Sequence, residues 1–154
     1  MSIVISDIQL LASIAATRVK PKTTHRWPAG VTKEGYLCRP RMSIGSEQKV
    51  YERAPYGKHG NPYQPPLLIV QIDDIWNSCP HQWTDEGMIE EGFPSVHDYA
   101  IWWDRWKVGD HNCKPWVEMQ DTQFWVCRFH LVGRTEYFRP RCESHAKEAG
   151  LRVE

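Results

Sequence analysis

From Ile8 onward the apolar residues Ile8, Leu11, Ala12 and Ala15 recur at i, i+3, i+4 and i+7. That spacing predicts one apolar stripe on a helix that begins at Ser6-Asp7. Beyond Thr17 the periodicity stops. Residues 18–66 hold seven of the eleven prolines and five of the ten glycines. Proline lacks an N–H and glycine costs backbone entropy, so this segment reads as loops and short strands. Leu67 to Ile72 is apolar on both faces at first and predicts a buried strand. Thr84 caps a short acidic helix, Asp85 to Glu91, that Gly92 ends. Ser95 caps a second helix, to residue 108, with Asp98 as its capping-box partner. Val96, Tyr99, Ala100, Trp103 and Trp106 form its buried stripe. Trp102 falls to the side, open either to core packing or to a groove rim. Phe124 to Val132 alternates as a strand with Trp125, Cys127, Phe129 and Leu131 on one face. The order helix, irregular segment, strand, two helices, strand predicts an α+β fold around a small sheet or barrel.

Composition narrows the class. A chain of 154 residues makes one domain with a core that needs no disulfide or metal. With 41% apolar and 25% charged residues it has a soluble globular composition. Nineteen basic residues balance nineteen acidic ones, which excludes a uniformly basic nucleic-acid coat and an acidic tail. The balance hides an asymmetry. Arg18 to Lys58 holds ten Lys/Arg and three Glu, a net of plus seven; His59 to Val126 holds three Lys/Arg and eleven Asp/Glu, a net of minus eight. The two blocks either pair with each other or leave a one-sided anion-binding face. No apolar run is long enough to span a bilayer, and no basic leader precedes the first apolar stretch, so no membrane role and a cytoplasmic location are expected. Five irregularly spaced cysteines read as reduced thiols. Eight tryptophans either build a dense core or line a ligand surface.

The irregular segment interleaves cations with rings. Arg18, Lys20, Lys22, Arg26, Arg39 and Arg41 lie among Trp27, Tyr36, Tyr56 and Tyr63. Cations that track phosphate and rings that stack on bases are what single-stranded nucleic acid or a flipped base requires. The same rings would also serve as core. Cys127–His130 and Cys142–His145 are C-x-x-H pairs, and Cys79, His81, His111 and Cys113 lie between helices. Cys127 and His130 fall on opposite faces of their strand, so no metal site is assigned. No cofactor is expected.

The run Trp83-Thr84-Asp85-Glu86-Gly87-Met88-Ile89-Glu90-Glu91-Gly92-Phe93-Pro94-Ser95 resembles the signature of ASCH domains, a branch of the PUA-like superfamily. In that family a capped acidic turn leads into Glu-Gly-Phe, then an aromatic helix ending in Trp, then a strand of Phe-x-Val type. Here these are Tyr99 to Trp106, Pro115-Trp116-Val117, and Phe124 to Phe129. Pro21-Lys22-Thr23-Thr24-His25-Arg26-Trp27 resembles the family's Lys-Thr-x-Thr-Arg-Arg run, and Pro55-Tyr56-Gly57-Lys58-His59-Gly60 a turn common in phage-type members. The copy departs at His25, Trp27 and Asn61, and is short between its halves, at Pro62 to Pro66.

The resemblance implies a small mixed β-barrel with helices on one side, covering residues 1–132, followed by an extension, 133–154, of unassigned role. It implies binding of RNA, single-stranded nucleic acid or a modified nucleotide in a cleft, with Lys20, Lys22, Arg26, Trp27, Arg39, Arg41 and Tyr56 as contacts. Some small family members are amidohydrolases acting on acetylated cytidine. They use a Lys, a Thr three residues later and the Glu of the Glu-Gly turn. Lys22 and Glu91 match. The position three after Lys22 is His25, so the nucleophile is Thr24 if the turn is shifted by one residue, or His25 acts as a base on water. A ribonuclease in the same cleft is a related alternative. A third alternative is a phage factor that binds a host protein, for which Arg134, Tyr137, Phe138 and Arg139 are hot-spot residue types.

Overall fold

The computed structural model describes residues 3–5, 14, 22–52, 65–109, 113–139 and 144. The first predicted helix lies outside them except for Ile14, which is helical and buried. The turn at 55–60 also lies outside them.

Five strands form one mixed sheet: β1 (Ile3–Val4), β2 (Thr24–Pro28), β3 (Glu47–Tyr51), β4 (Leu68–Ser78) and β5 (Phe124–Arg134), in the order β1-β3-β4-β5-β2. Only the β1–β3 pair is parallel; the other pairs are antiparallel. The sheet curls into a half-barrel. With helices α1 (Asp85–Glu91) and α2 (Val96–Trp102), the fold is α+β, as the pattern predicts. Among the described residues no helix is long and apolar enough to cross a membrane.

The central hairpin-like pair β4–β5 exceeds its predicted lengths. The strand read over Leu67–Ile72 runs on to Ser78. Asp73 and Asp74 look like a strand end in sequence, but they sit exposed beside register shifts at Ile69/Val70 and Ile72/Asp74. A bulge aims such polar side chains at solvent without ending the pairing. At the far end β5 continues to Arg134, the Thr135 hydroxyl donates to Pro66 O at 2.5 Å, and Phe138 is buried.

Alternation gives the sheet two buried faces. Val50, Leu68, Val70, Ile72, Cys127 and Phe129 form an aliphatic core with Ile3, Ile14 and Phe138. The first residues of β5 on the other face, Phe124 and Val126, are also fully buried, and Phe124 packs against residues of α1 and α2. There Met88, Tyr99, Trp103, Trp116 and Phe124 form a second, aromatic core.

Both helix starts follow their caps. The Thr84 hydroxyl accepts from Gly87 N, and the Ser95 hydroxyl accepts from Asp98 N while donating to the Asp98 carboxylate at 2.6 Å. Gly92, at φ 103°, ends α1: Gly92 N donates to Ile89 O and Phe93 N to Met88 O. The second helix departs from expectation. It turns π-helical over Trp103–Val108, and the wider turn rotates Trp106 off the buried stripe, leaving it 36% exposed.

Candidate functional site

The C-terminus of α1 leaves carbonyls without helical partners. The segment entering β2 supplies them. Thr23 N donates to Glu90 O at 2.7 Å, and Lys22 Nζ donates to Glu91 O at 2.9 Å and to Thr24 O at 2.6 Å. A cation at a helix C-terminus is also favoured by the dipole. This docking brings the Glu91 carboxylate onto β2.

Glu91 is then fully engaged. Its Oε1 accepts from Lys22 Nζ at 3.3 Å and from Arg26 N at 3.1 Å. Its Oε2 accepts from the Thr24 hydroxyl at 2.8 Å and from Arg26 Nη1 at 2.7 Å. Arg26 Nη1 also donates to Thr24 Oγ1 at 3.2 Å. Thr24 and Arg26 can share the carboxylate because residues two apart on a strand face the same way. The Lys22, Arg26 and Glu91 side chains are 1%, 6% and 3% exposed. Arg26 lies over the Trp83 ring at 4.8 Å, and Trp83 meets Tyr99 edge-on at 5.5 Å. The buried Arg26 Nε has no hydrogen-bond partner.

The electrostatics follow from burial. Burial lowers the Lys22 pKa and Glu91 only partly restores it. Burial pushes Glu91 up, but Lys22 and Arg26, with smaller help from His25 and the Thr24 hydroxyl, outweigh it and hold the carboxyl below its usual range. Glu91 is therefore ionised, flanked by two cations. Tyr99 is raised, first by burial and then by the Glu91 charge.

The predicted residues separate into three groups. Lys22, Thr24, Arg26 and Glu91 converge. His25 and Trp27 occupy the opposite face of β2 and stack at 6.1 Å. Burial, then the Lys22 charge, lowers the His25 pKa to about 3, so the ring is neutral at pH 7. Arg39 and Arg41 are exposed on the loop beyond β2, as is Tyr36 at 72%. Lys20 and Tyr56 lie outside the described residues, as do Arg18 and Tyr63.

The thiol and imidazole pairs stay apart. Cys127 is buried in the aliphatic core, its pKa pushed up to about 12 by burial and by Glu91, whereas His130 is exposed and bonded to Asp73 at 2.8 Å. His81 Nδ1 contacts Gln120 O at 2.7 Å. Among the described residues no three His, Cys, Asp or Glu side chains converge as metal ligands. Cys142, His145 and His111 lie outside the described residues.

One residue beside the cluster escaped the sequence reading. Trp83 covers Arg26, and its indole donates to Ser78 Oγ at 2.7 Å; only its place before the Thr84 cap marks it in sequence. Trp102 packs against both cores.

Among solved structures the chain is similar to protein EF3133 from Enterococcus faecalis V583, a DUF984 family-model protein. The TM-score is 0.52 at 14% identity, over 90% of this chain and 85% of that one. At that identity the likeness concerns the fold alone. No family model matches the chain, and no curated protein does.

Proposed function

We propose that the chain is an ASCH-type, PUA-like module, of the phage-type branch and working in a cytoplasm, that binds RNA or a modified nucleotide over the Lys22–Thr24–Arg26–Glu91 cluster. The observation that carries this reading is the cluster's composition: two buried cations share one ionised carboxylate, under an aromatic wall of Trp83 and Tyr99. The Arg26 Nε–H is left without an acceptor among the described residues. A donor-rich floor beside π faces matches a ligand with acceptor oxygens and a flat ring. Arg39 and Arg41, exposed beyond β2, would track a longer strand.

A second reading, hydrolysis in the same cleft, is favoured by one distance. The Thr24 hydroxyl donates to Glu91 Oε2 at 2.8 Å although Thr24 follows Lys22 by two residues instead of three. A hydroxyl bonded to a carboxylate, with an ammonium beside it, has the parts of an activated nucleophile and an oxyanion partner.

One experiment separates the two. Labelled single-stranded RNA and N4-acetylcytidine are each titrated into the protein at two salt concentrations, and the samples are then assayed for products. Salt-sensitive binding of intact ligand supports the module. Acetate release that Thr24→Val abolishes, with folding retained, moves hydrolysis to first place. Neither binding nor turnover rejects both, and a nuclease-resistant stoichiometric host protein in a pulldown would then favour the protein-binding alternative.

A further inference from the structure

A guanidinium is planar, carries only donors and can serve two partners along two of its edges. Arg26 Nη1 serves the cluster, donating to Glu91 Oε2 at 2.7 Å and to Thr24 Oγ1 at 3.2 Å. Nε and Nη2 form another edge, where two N–H bonds point the same way as a fork. The Arg26 side chain is 6% exposed. Its Nε is buried and has no hydrogen-bond partner. Nη2 has none among the described residues either, but it is not enclosed. Such a fork fits two acceptor atoms lying side by side.

The way to this fork passes Gly87 in α1. A Cβ at Gly87 would lie 3.4 Å from Thr84 Oγ1 and 3.7 Å from Arg26 Nη2; beyond its own helix backbone and chain neighbours, nothing else comes within 4 Å. Room for a side chain exists beside Nη2 and is left open. Gly87 is not among the glycines with positive φ, so the backbone does not require it. Glycine weakens a helix interior relative to alanine. Access to Nη2 gives this glycine a reason that helix formation does not.

The surroundings define which acceptors fit. Glu91 already meets the guanidinium charge on the Nη1 side. A phosphate in the fork would face that carboxylate across one small cation, and like charges repel. A neutral pair of acceptors answers both N–H bonds without a second anion. The Trp83 ring centroid lies 4.8 Å from Arg26 Cζ, so a flat group in the fork comes beside an aromatic face. Guanine presents O6 and N7 as adjacent acceptors, the pair that arginine reads with two hydrogen bonds. Adenine places its N6 donor where O6 would be. Uracil has no two neighbouring acceptors. Cytosine has O2 and N3, but its single ring offers less face to Trp83.

We propose that Arg26 and Gly87 are specificity-determining residues of the cleft: the Nε–Nη2 edge of Arg26 reads the O6 and N7 acceptors of a guanine base, and Gly87 keeps that edge open. The proposal rests on the nucleic-acid reading above and adds which base is chosen.

The test uses uridine heptamer RNAs whose central residue is guanosine, inosine, 7-deazaguanosine, cytidine or adenosine. Each is titrated into the wild type, Gly87→Ala and Gly87→Leu, and the Arg26 Nε–H resonance is followed by ¹H–¹⁵N NMR. Inosine keeps O6 and N7; 7-deazaguanosine lacks N7. Guanosine and inosine heptamers should bind about tenfold tighter or more than the other three, and should shift the Nε–H downfield. Both Gly87 variants should unfold no earlier than the wild type, since each residue favours a helix over glycine, yet lose most of that preference. If all heptamers bind alike, or if both variants keep the preference, the proposal is overturned and the binding reading survives. Tightest binding of the cytidine heptamer overturns the choice of guanine. A shift of the Nε–H by inorganic phosphate alone puts an anion in the fork and overturns the proposal. No binding of any heptamer overturns the proposal together with the reading it rests on.

Discussion

The two cores of this molecule are built on different principles. The one under β3, β4 and β5 is mostly aliphatic: Val50, Leu68, Val70 and Ile72 from strands, with Ile3 and Ile14. Its cohesion is burial, which has no direction. The one under α1 and α2 is mostly rings. Trp103 meets Trp116 at 5.9 Å and Phe124 at 5.6 Å, and the Trp103 indole donates to Lys114 O at 2.9 Å. Ring pairs and indole donors impose angles as well as contact. Phe93 and Trp102 pack against both, and the Glu91 cluster joins the helical layer to β2. Undirected burial fills the core on the sheet; directed contacts build the layer that carries polar chemistry.

Breaking the junction should have the largest effect. Glu91→Ala leaves Lys22 and Arg26 buried without their carboxylate, and a loss of about 3–5 kcal/mol is expected in denaturant unfolding. A loss under about 1 kcal/mol would mean that water reaches the cations and the cluster is not a closed ion network.

Conservative swaps sharpen the contrast between the cores. Leu68→Met preserves volume and should cost less than about 1.5 kcal/mol. Trp103→Phe is also apolar for apolar, yet it removes a hydrogen bond and part of a ring, so about 2–3 kcal/mol is expected. Equal losses in urea titrations would show that the rings act as bulk and that their angles do not matter.

The smallest effect is a pH dependence at β2. The folded His25 pKa is about 3 against an ordinary 6.5. Below pH 6.5 the unfolded chain therefore binds a proton that the folded chain refuses. Its contribution to stability is complete above pH 6.5, declines as pH falls toward 3, and then levels off. The loss between pH 7 and 5 should be about 1–2 kcal/mol. The lowered Glu91 pKa acts in the same direction only below its usual range, and the lowered Lys22 pKa acts in the same direction on the alkaline side. Measured unfolding midpoints of wild type and His25→Gln should converge on acidification; parallel curves would place the imidazole in water.

Much of this was legible because local chemistry decided it. Thr84, Gly92, Ser95 and Asp98 mark helix ends by hydrogen bonds that involve only near neighbours. The apolar run at Leu67–Ile72 and the alternation after Phe124 mark strands by burial. The approach of Lys22 to Glu91 followed from family resemblance; no periodicity contains it. Thr24 and Arg26 joining that carboxylate depends on which face of β2 meets α1, which is decided by residues far along the chain. The full length of β4 was hidden by Asp73-Asp74, since a bulge on the solvent face and a strand end look alike in sequence. The π turn has no local signature at all; Trp106 fitted an α-helical stripe that the backbone abandons.

The pairing of β2 has a consequence for how the molecule is made. Thr24 is registered against Arg128, and Lys22 reaches Glu91 across a separation of 69 residues. Closing such long loops costs entropy before any contact repays it, which slows folding. During synthesis β2 must wait, unpaired, until nearly the entire chain has left the ribosome. The cluster at Glu91 is thus a mark of completion: a polypeptide interrupted before β5 has made α1 and α2 but lacks the strand that positions Thr24 and Arg26 beside them.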